Sequence, residues 1–98
     1  MDYYRYCNVK CLLNADDKIL SLNAMNIVEY LFTLGWTEIK TKRDDIKILQ
    51  LRKDDDLFQV NIPLDRELVD YKRTLYMVVE TIASAYNLTF CESLNKVI

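Results

Sequence analysis

Histidine is absent from the chain. Its absence removes the commonest general base, the commonest metal ligand, and every serine–histidine or cysteine–histidine nucleophile pair. Glycine and proline occur once each, which is too few for a loop-rich or collagen-like chain. The three cysteines, Cys7, Cys11 and Cys91, are an odd number with no disulfide framework. Without histidine they fall short of the four ligands a structural zinc needs, so no cofactor or metal is expected. No segment is strongly basic, no leader has a basic-then-apolar start, and no apolar run is long enough to span a bilayer. Reduced thiols and a cytoplasmic location are the expectation.

What is present is a chain of 98 residues, about half of them hydrophobic, with a net charge of −2. That length holds one core, and that composition is enough to fold it. The most legible stretch is Phe58 to Asn87. Phe58, Val60 and Ile62 alternate with Gln59 and Asn61, the pattern of a strand with one buried face. Pro63 cannot donate to a ladder, so the strand ends there or lies at an edge. Asp65 is placed as a helix N-cap, with Glu67 in the first turn. Leu68, Tyr71, Leu75, Val78, Val79, Ile82 and Tyr86 then form an apolar stripe at helical spacing, and Asn87 closes it in left-handed geometry.

Upstream, Tyr3, Tyr4, Tyr6, Cys7, Val9, Leu12 and Leu13 fit a strand or a short helix, and Asn14 to Lys18 reads as a turn. Ser21 or Asn23 caps a helix whose buried stripe is Ile27, Val28, Leu31, Phe32 and Leu34. Gly35 sits at its end, where a positive φ costs glycine nothing, and Trp36 folds back. Strands are expected at Trp36 to Lys42, Ile46 to Arg52 and Leu57 to Ile62. The second breaks strict alternation at Ile48, Leu49 and Leu51, as a central or bulged strand does. The acidic connection Lys53 to Asp56 reads as a hairpin tip, and its spacing does not match a calcium loop. Short connections favour antiparallel pairing. Thr89 and Glu92 have capping-box spacing, so a further short helix begins after them.

The resulting fold class is α+β. A two-layer α-β-β-β-α unit carries a three-stranded antiparallel sheet with two helices on one face, plus a C-terminal helix stub. Residues 1–23 form an irregular extension and 24–98 a single domain. Met25 opens the self-contained part, so residues 1–24 read as an addition the core does not need, translated upstream of an alternative start.

Two groups of residues are candidate sites. Lys42, Arg43, Lys47, Arg66, Lys72 and Arg73 could make a basic ridge against nucleic-acid phosphates, although Glu38, Asp44, Asp45, Asp65, Glu67 and Asp70 are interleaved. Asp65, Arg66, Asp70 and Tyr71 read as a salt-bridged support for the strand-to-helix junction. Leu94, Val97 and Ile98 at the chain end, or a sheet edge, are candidates for a protein partner or self-association.

The order helix, Gly35-Trp36, three strands ending in Ile62-Pro63, then helix resembles the HicA family of small toxins over residues 24 to 87. The resemblance implies a double-stranded-RNA-binding-domain-like fold, an RNA-facing surface and mRNA cleavage. The family's sheet histidine has no counterpart, since Arg43 to Leu51 offers Asp44, Asp45 and Lys47. VNIPLDRELVDY, with EYLFTLGW and TKRDDI before it, is also similar to a group of bacterial proteins of unknown function, some of them longer. Two functions follow as expectations. The first is a non-catalytic interaction module in a bacterial defence or toxin–antitoxin-like system. The alternative is an RNA-binding domain or degenerate HicA-like nuclease.

Overall fold

The structure is a computed structural model that describes residues 14–98. In chain order the elements are α1 (Ala15–Leu20), α2 (Ala24–Thr33), β1 (Thr37–Ile39), β2 (Ile46–Lys53), β3 (Asp56–Pro63), α3 (Tyr71–Tyr86) and α4 (Phe90–Val97). The strands form one antiparallel sheet in the order β1-β2-β3. This is the α+β arrangement expected from the alternating and helical periods.

β2 is the central strand, and its register with β3 runs unbroken from Ile46↔Pro63 to Lys53↔Asp56, so no bulge is needed. The turn between them has only Asp54 and Asp55, with Asp54 at φ 56°. A short acidic side chain tolerates that left-handed conformation better than a branched one. Leu49 pairs with Val60, and these two with Ile62 lie on the sheet face that packs against the helices. Leu51 and Phe58 flank them on the same face. The opposite face carries Ile39, Ile48, Gln50, Gln59 and Asn61, none of them buried. β1 stops at Ile39, three residues short of the expected Lys42. Thr41 turns the chain by accepting the Arg43 backbone N–H (3.2 Å), and a paired Arg43 and Asp45 continue the connection.

α2 is capped by Asn23, whose side chain accepts the Asn26 N–H. It ends in a Schellman pair, Trp36 N–H to Leu31 C=O and Gly35 N–H to Phe32 C=O, with Gly35 at φ 92°. Trp36 is thereby turned into the core, and its Nε1 donates to Tyr86 Oη at 2.9 Å. Only Ile27, Val28 and Leu31 of the expected stripe are buried. Phe32, in the last turn, and Leu34, already the cap, are left exposed.

α3 begins six residues later than Asp65. The Asp65 carboxylate accepts the Glu67 N–H at 2.9 Å, and Leu68 and Tyr71 bond back to Asp65 and Leu68 in successive turns. A short acidic side chain that takes up a nearby backbone N–H competes with helix, and here it does so one turn too early. From Tyr71 onward the stripe holds: Tyr71, Leu75, Val78, Val79 and Ile82 are buried. Asn87 ends the helix at φ 57°, with Leu88 N–H on Ala83 C=O. Lys53 reaches across from the hairpin to the Ala85 carbonyl (2.7 Å) and lies 4.9 Å from the Tyr86 ring. It satisfies one of the carbonyls a helix end leaves open. α4 has the expected capping box, Thr89 with Glu92.

Two expectations fall to burial. Asn14 to Lys18 is not a turn but the start of α1, where Asp16 and Asp17 face the positive end of the helix. Ala15, Ile19 and Leu22 belong to the core. At the other end Leu94 and Val97 are also core, so only Ile98 stays exposed and the stub offers no apolar face. Cys91 is in a disulfide, which corrects the reading of three free thiols. The expectations for Tyr3 to Leu13, including Cys7 and Cys11, lie outside the described residues.

α1 is clamped from three directions. Asp16 accepts from Lys72 Nζ (3.2 Å) and from Tyr76 Oη, and Arg66 Nη2 donates to the Leu20 carbonyl (2.8 Å). The Tyr76 hydroxyl, followed by Lys72, holds the Asp16 carboxyl below its ordinary value. A carboxyl whose folded value is depressed contributes stability that is complete above the ordinary carboxylate range and is lost as the pH falls through the folded value. Asp16→Asn should therefore unfold more easily than the parent at pH 7, and the difference should close as the pH falls below the ordinary carboxylate range and through the depressed folded value. Urea midpoints for both proteins across that range measure it. A gap that stays constant with pH would mean that the Asp16 charge contributes nothing.

Candidate functional site

The six cations of the expected ridge are placed differently from one another. Arg43 makes a two-pronged bond to Asp45 (2.8 and 2.9 Å), and Lys47 meets Glu38 at 3.3 Å. The Arg43 pairing raises its guanidinium and lowers the Asp45 carboxyl from their ordinary values. Lys72 is drawn to Asp16 on α1, and Arg66 to Leu20. Lys42 and Arg73 are exposed and have no ionic partner among the described residues. A hollow of about 280 Å³ beside the β1–β2 connection gathers Lys40, Arg43 and Lys47 together with Glu38 and Asp44. Its charge is mixed, so it presents no uniform positive field to a phosphate backbone.

The strand-to-helix junction is held without an ion pair among Asp65, Arg66, Asp70 and Tyr71. Arg66 lies over the Tyr71 ring (5.5 Å to the centroid) and reaches a backbone carbonyl. Asp65 serves its own turn, and the Asp70 carbonyl accepts the Thr74 N–H. The expected salt bridge gives way to a cation–π contact because the turn at Asp65 uses its carboxylate locally. Among the described residues, no three Asp, Glu or Cys side chains converge where a metal ion could be held.

The feature the sequence names only in passing, as a sheet edge, is the side of β3 that no strand among the described residues pairs with, called its free side below. Lys53 and Asp56 close a two-residue turn, and Leu64 N–H bonds Asp45 C=O beyond the other end of the ladder. Alternation between these two points turns the backbone groups of Phe58, Val60 and Ile62 toward β2. Those of Leu57, Gln59, Asn61 and Pro63 turn to the free side. Pro63, which lacks an N–H, thus stands where the ladder with β2 needs none.

A groove of about 220 Å³ opens on this free side. Gln59, Val60 and Asn61 line one wall, and Asp70, Thr74, Met77, Val78 and Thr81 of α3 line the other. No β2 residue lines it, so it lies at the outer edge of the sheet, between β3 and α3. A smaller hollow of about 90 Å³ shares Asn61, Asp70 and Thr74 and extends the groove toward Arg43. Among the described residues the only ionisable group lining the main groove is Asp70, and Met77 is half exposed beside it. An edge strand with open backbone groups, walled by a helix, accepts an extended chain by main-chain hydrogen bonding and reads its side chains along the wall. Period-2 patterning locates β3 in the sequence. Nothing local reveals that β3 is an outer strand of the described sheet or that α3 walls its edge.

No family model, curated protein or solved structure matches this chain.

Proposed function

We propose that this chain is a non-catalytic interaction module that binds a protein segment by strand addition at β3. The observation that carries the reading is the groove between α3 and the edge of β3 that no strand among the described residues pairs with, with the backbone groups of Gln59 and Asn61 turned to it. The mixed charge of the basic hollow and the internal pairing of Arg43, Lys47 and Lys72 favour this reading over phosphate binding. A role in a bacterial defence or toxin–antitoxin-like system belongs to the same proposal, since such systems work through paired proteins.

A random twelve-residue peptide library displayed on phage provides the test. Enriched peptides, added to the isotope-labelled protein, should shift the amide resonances of Gln59, Asn61, Thr74, Met77 and Thr81. Gln59→Pro, which removes a free-side N–H and leaves the β2 ladder intact, should weaken binding by about tenfold or more. An unenriched library would count against the reading. Shifts at Lys42, Arg43 and Lys47 on adding mixed-sequence RNA at low salt would replace it with the RNA-binding alternative.

A further inference from the structure

We propose that the occupant of the β3 edge is a second copy of the same chain, paired antiparallel about a two-fold axis through Val60. The proposal rests on reading that edge as a binding surface and adds the identity of what binds there.

Three observations lead to it. First, no strand among the described residues pairs with the edge, and most of it lacks the usual protection. Natural edges are blunted by charges, prolines, bulges, a covering helix or very short strands, and here only Pro63 at the strand end and α3 along one side serve that role. Leu57 to Pro63 contains no charged residue, and its register with β2 has no bulge. The other edge of the sheet, β1, has only three residues and does follow the rule. Second, the open backbone groups are self-complementary. With the axis at Val60, each outward residue meets an outward residue: Gln59 faces Asn61 of the second copy, Asn61 faces Gln59, and Leu57 faces Pro63. Gln59 and Asn61 exchange N–H and C=O in both directions, and Leu57 donates to the Pro63 carbonyl, which needs no N–H in return. An axis at Gln59 instead sets Leu57 against Asn61 and pairs an apolar side chain with an amide.

Third, the side chains on the outer face prolong a network already present. Gln50 Nε2 donates to Gln59 Oε1 at 2.8 Å, and Gln59 Nε2 donates to Asn61 Oδ1 at 3.2 Å. This row of amides ends at the sheet edge, where Asn61 Nδ2 donates to no described residue. In the Val60 register it meets the Gln59 amide of the second copy, so the row runs on across both sheets. The groove then receives the edge of the partner strand, and Met77, Thr74 and Thr81 face their counterparts across the axis.

Sedimentation velocity on the full chain, from micromolar to millimolar, tests the pairing. A concentration-dependent monomer–dimer equilibrium is expected. Gln59→Lys with Asn61→Lys sets four like charges together and should abolish the dimer, with the circular dichroism spectrum unchanged because both positions are exposed. Gln59→Lys with Asn61→Glu sets opposite charges together in the Val60 register and should keep the dimer or tighten it. If that charge-paired variant dissociates as fully as the doubly basic one, the register is overturned. If the parent is monomeric throughout, self-pairing is overturned; library peptides that still shift Gln59 and Asn61 would then leave the interaction module standing with a different partner. A monomer that also selects no peptide removes both.

Discussion

Ile19→Ala should lower the unfolding free energy by about 2–5 kcal/mol, the range for truncating a fully buried aliphatic side chain. Ile19 has no exposed surface, and Ala15 and Leu22 are buried beside it, so α1 is part of the core. Leu20→Ala is the internal control. That side chain is 38% exposed, and its loss should cost far less than that of Ile19. A domain of this kind holds roughly 5–15 kcal/mol in total, so one such substitution takes a large share of it. A chain beginning at Met25 removes Ala15, Ile19 and Leu22 together, along with the Asp16 and Leu20 partners of Lys72, Tyr76 and Arg66. It should lose cooperative urea unfolding, or show a sharply lower midpoint. Equal midpoints for the full and shortened chains would restore the reading of this segment as dispensable.

Phe90→Ala should cost about 3–5 kcal/mol, as large aromatic truncations in a packed site do. Phe90 is fully buried at the first position of α4, and its ring stacks on Tyr76 with centroids 5.6 Å apart and planes 11° from parallel. Tyr76 in turn carries the hydroxyl that holds Asp16. One aromatic pair therefore links α4 to α1 through α3. Residues sharing a partner in this way are coupled. The double variant Phe90→Ala with Asp16→Asn should depart from the sum of the single losses by at least about 0.5 kcal/mol, measured by urea unfolding. Strict additivity would mean that the stack does not position Tyr76.

The elements that the sequence reveals are those whose signals lie close together along the chain. Asn23, Gly35, Asn87 and the Thr89–Glu92 box are helix ends written in side chains that bond neighbouring backbone or tolerate a left-handed turn. Val60 and Ile62, like Leu75, Val78, Val79 and Ile82, give their element away by period alone, because burial on one face demands it. Local signals also mislead where two of them compete. Asp65 is as good a cap by composition as any residue here, yet its carboxylate closes a turn and the helix waits until Tyr71.

The rest depends on contacts between residues far apart in sequence. α1 is too short to hold itself by propensity, and it exists because Ile19 finds the core and Asp16 finds Lys72 and Tyr76. The basic residues are visible in the sequence. Their pairing with Asp45, Glu38 and Asp16 is set by a chain reversal and by helix docking. The sequence alone determined that β3 is a strand with one apolar face. Only the tertiary structure decided that it is an outer strand of the described sheet, with α3 alongside it, because strand order and helix placement follow from how the whole core closes.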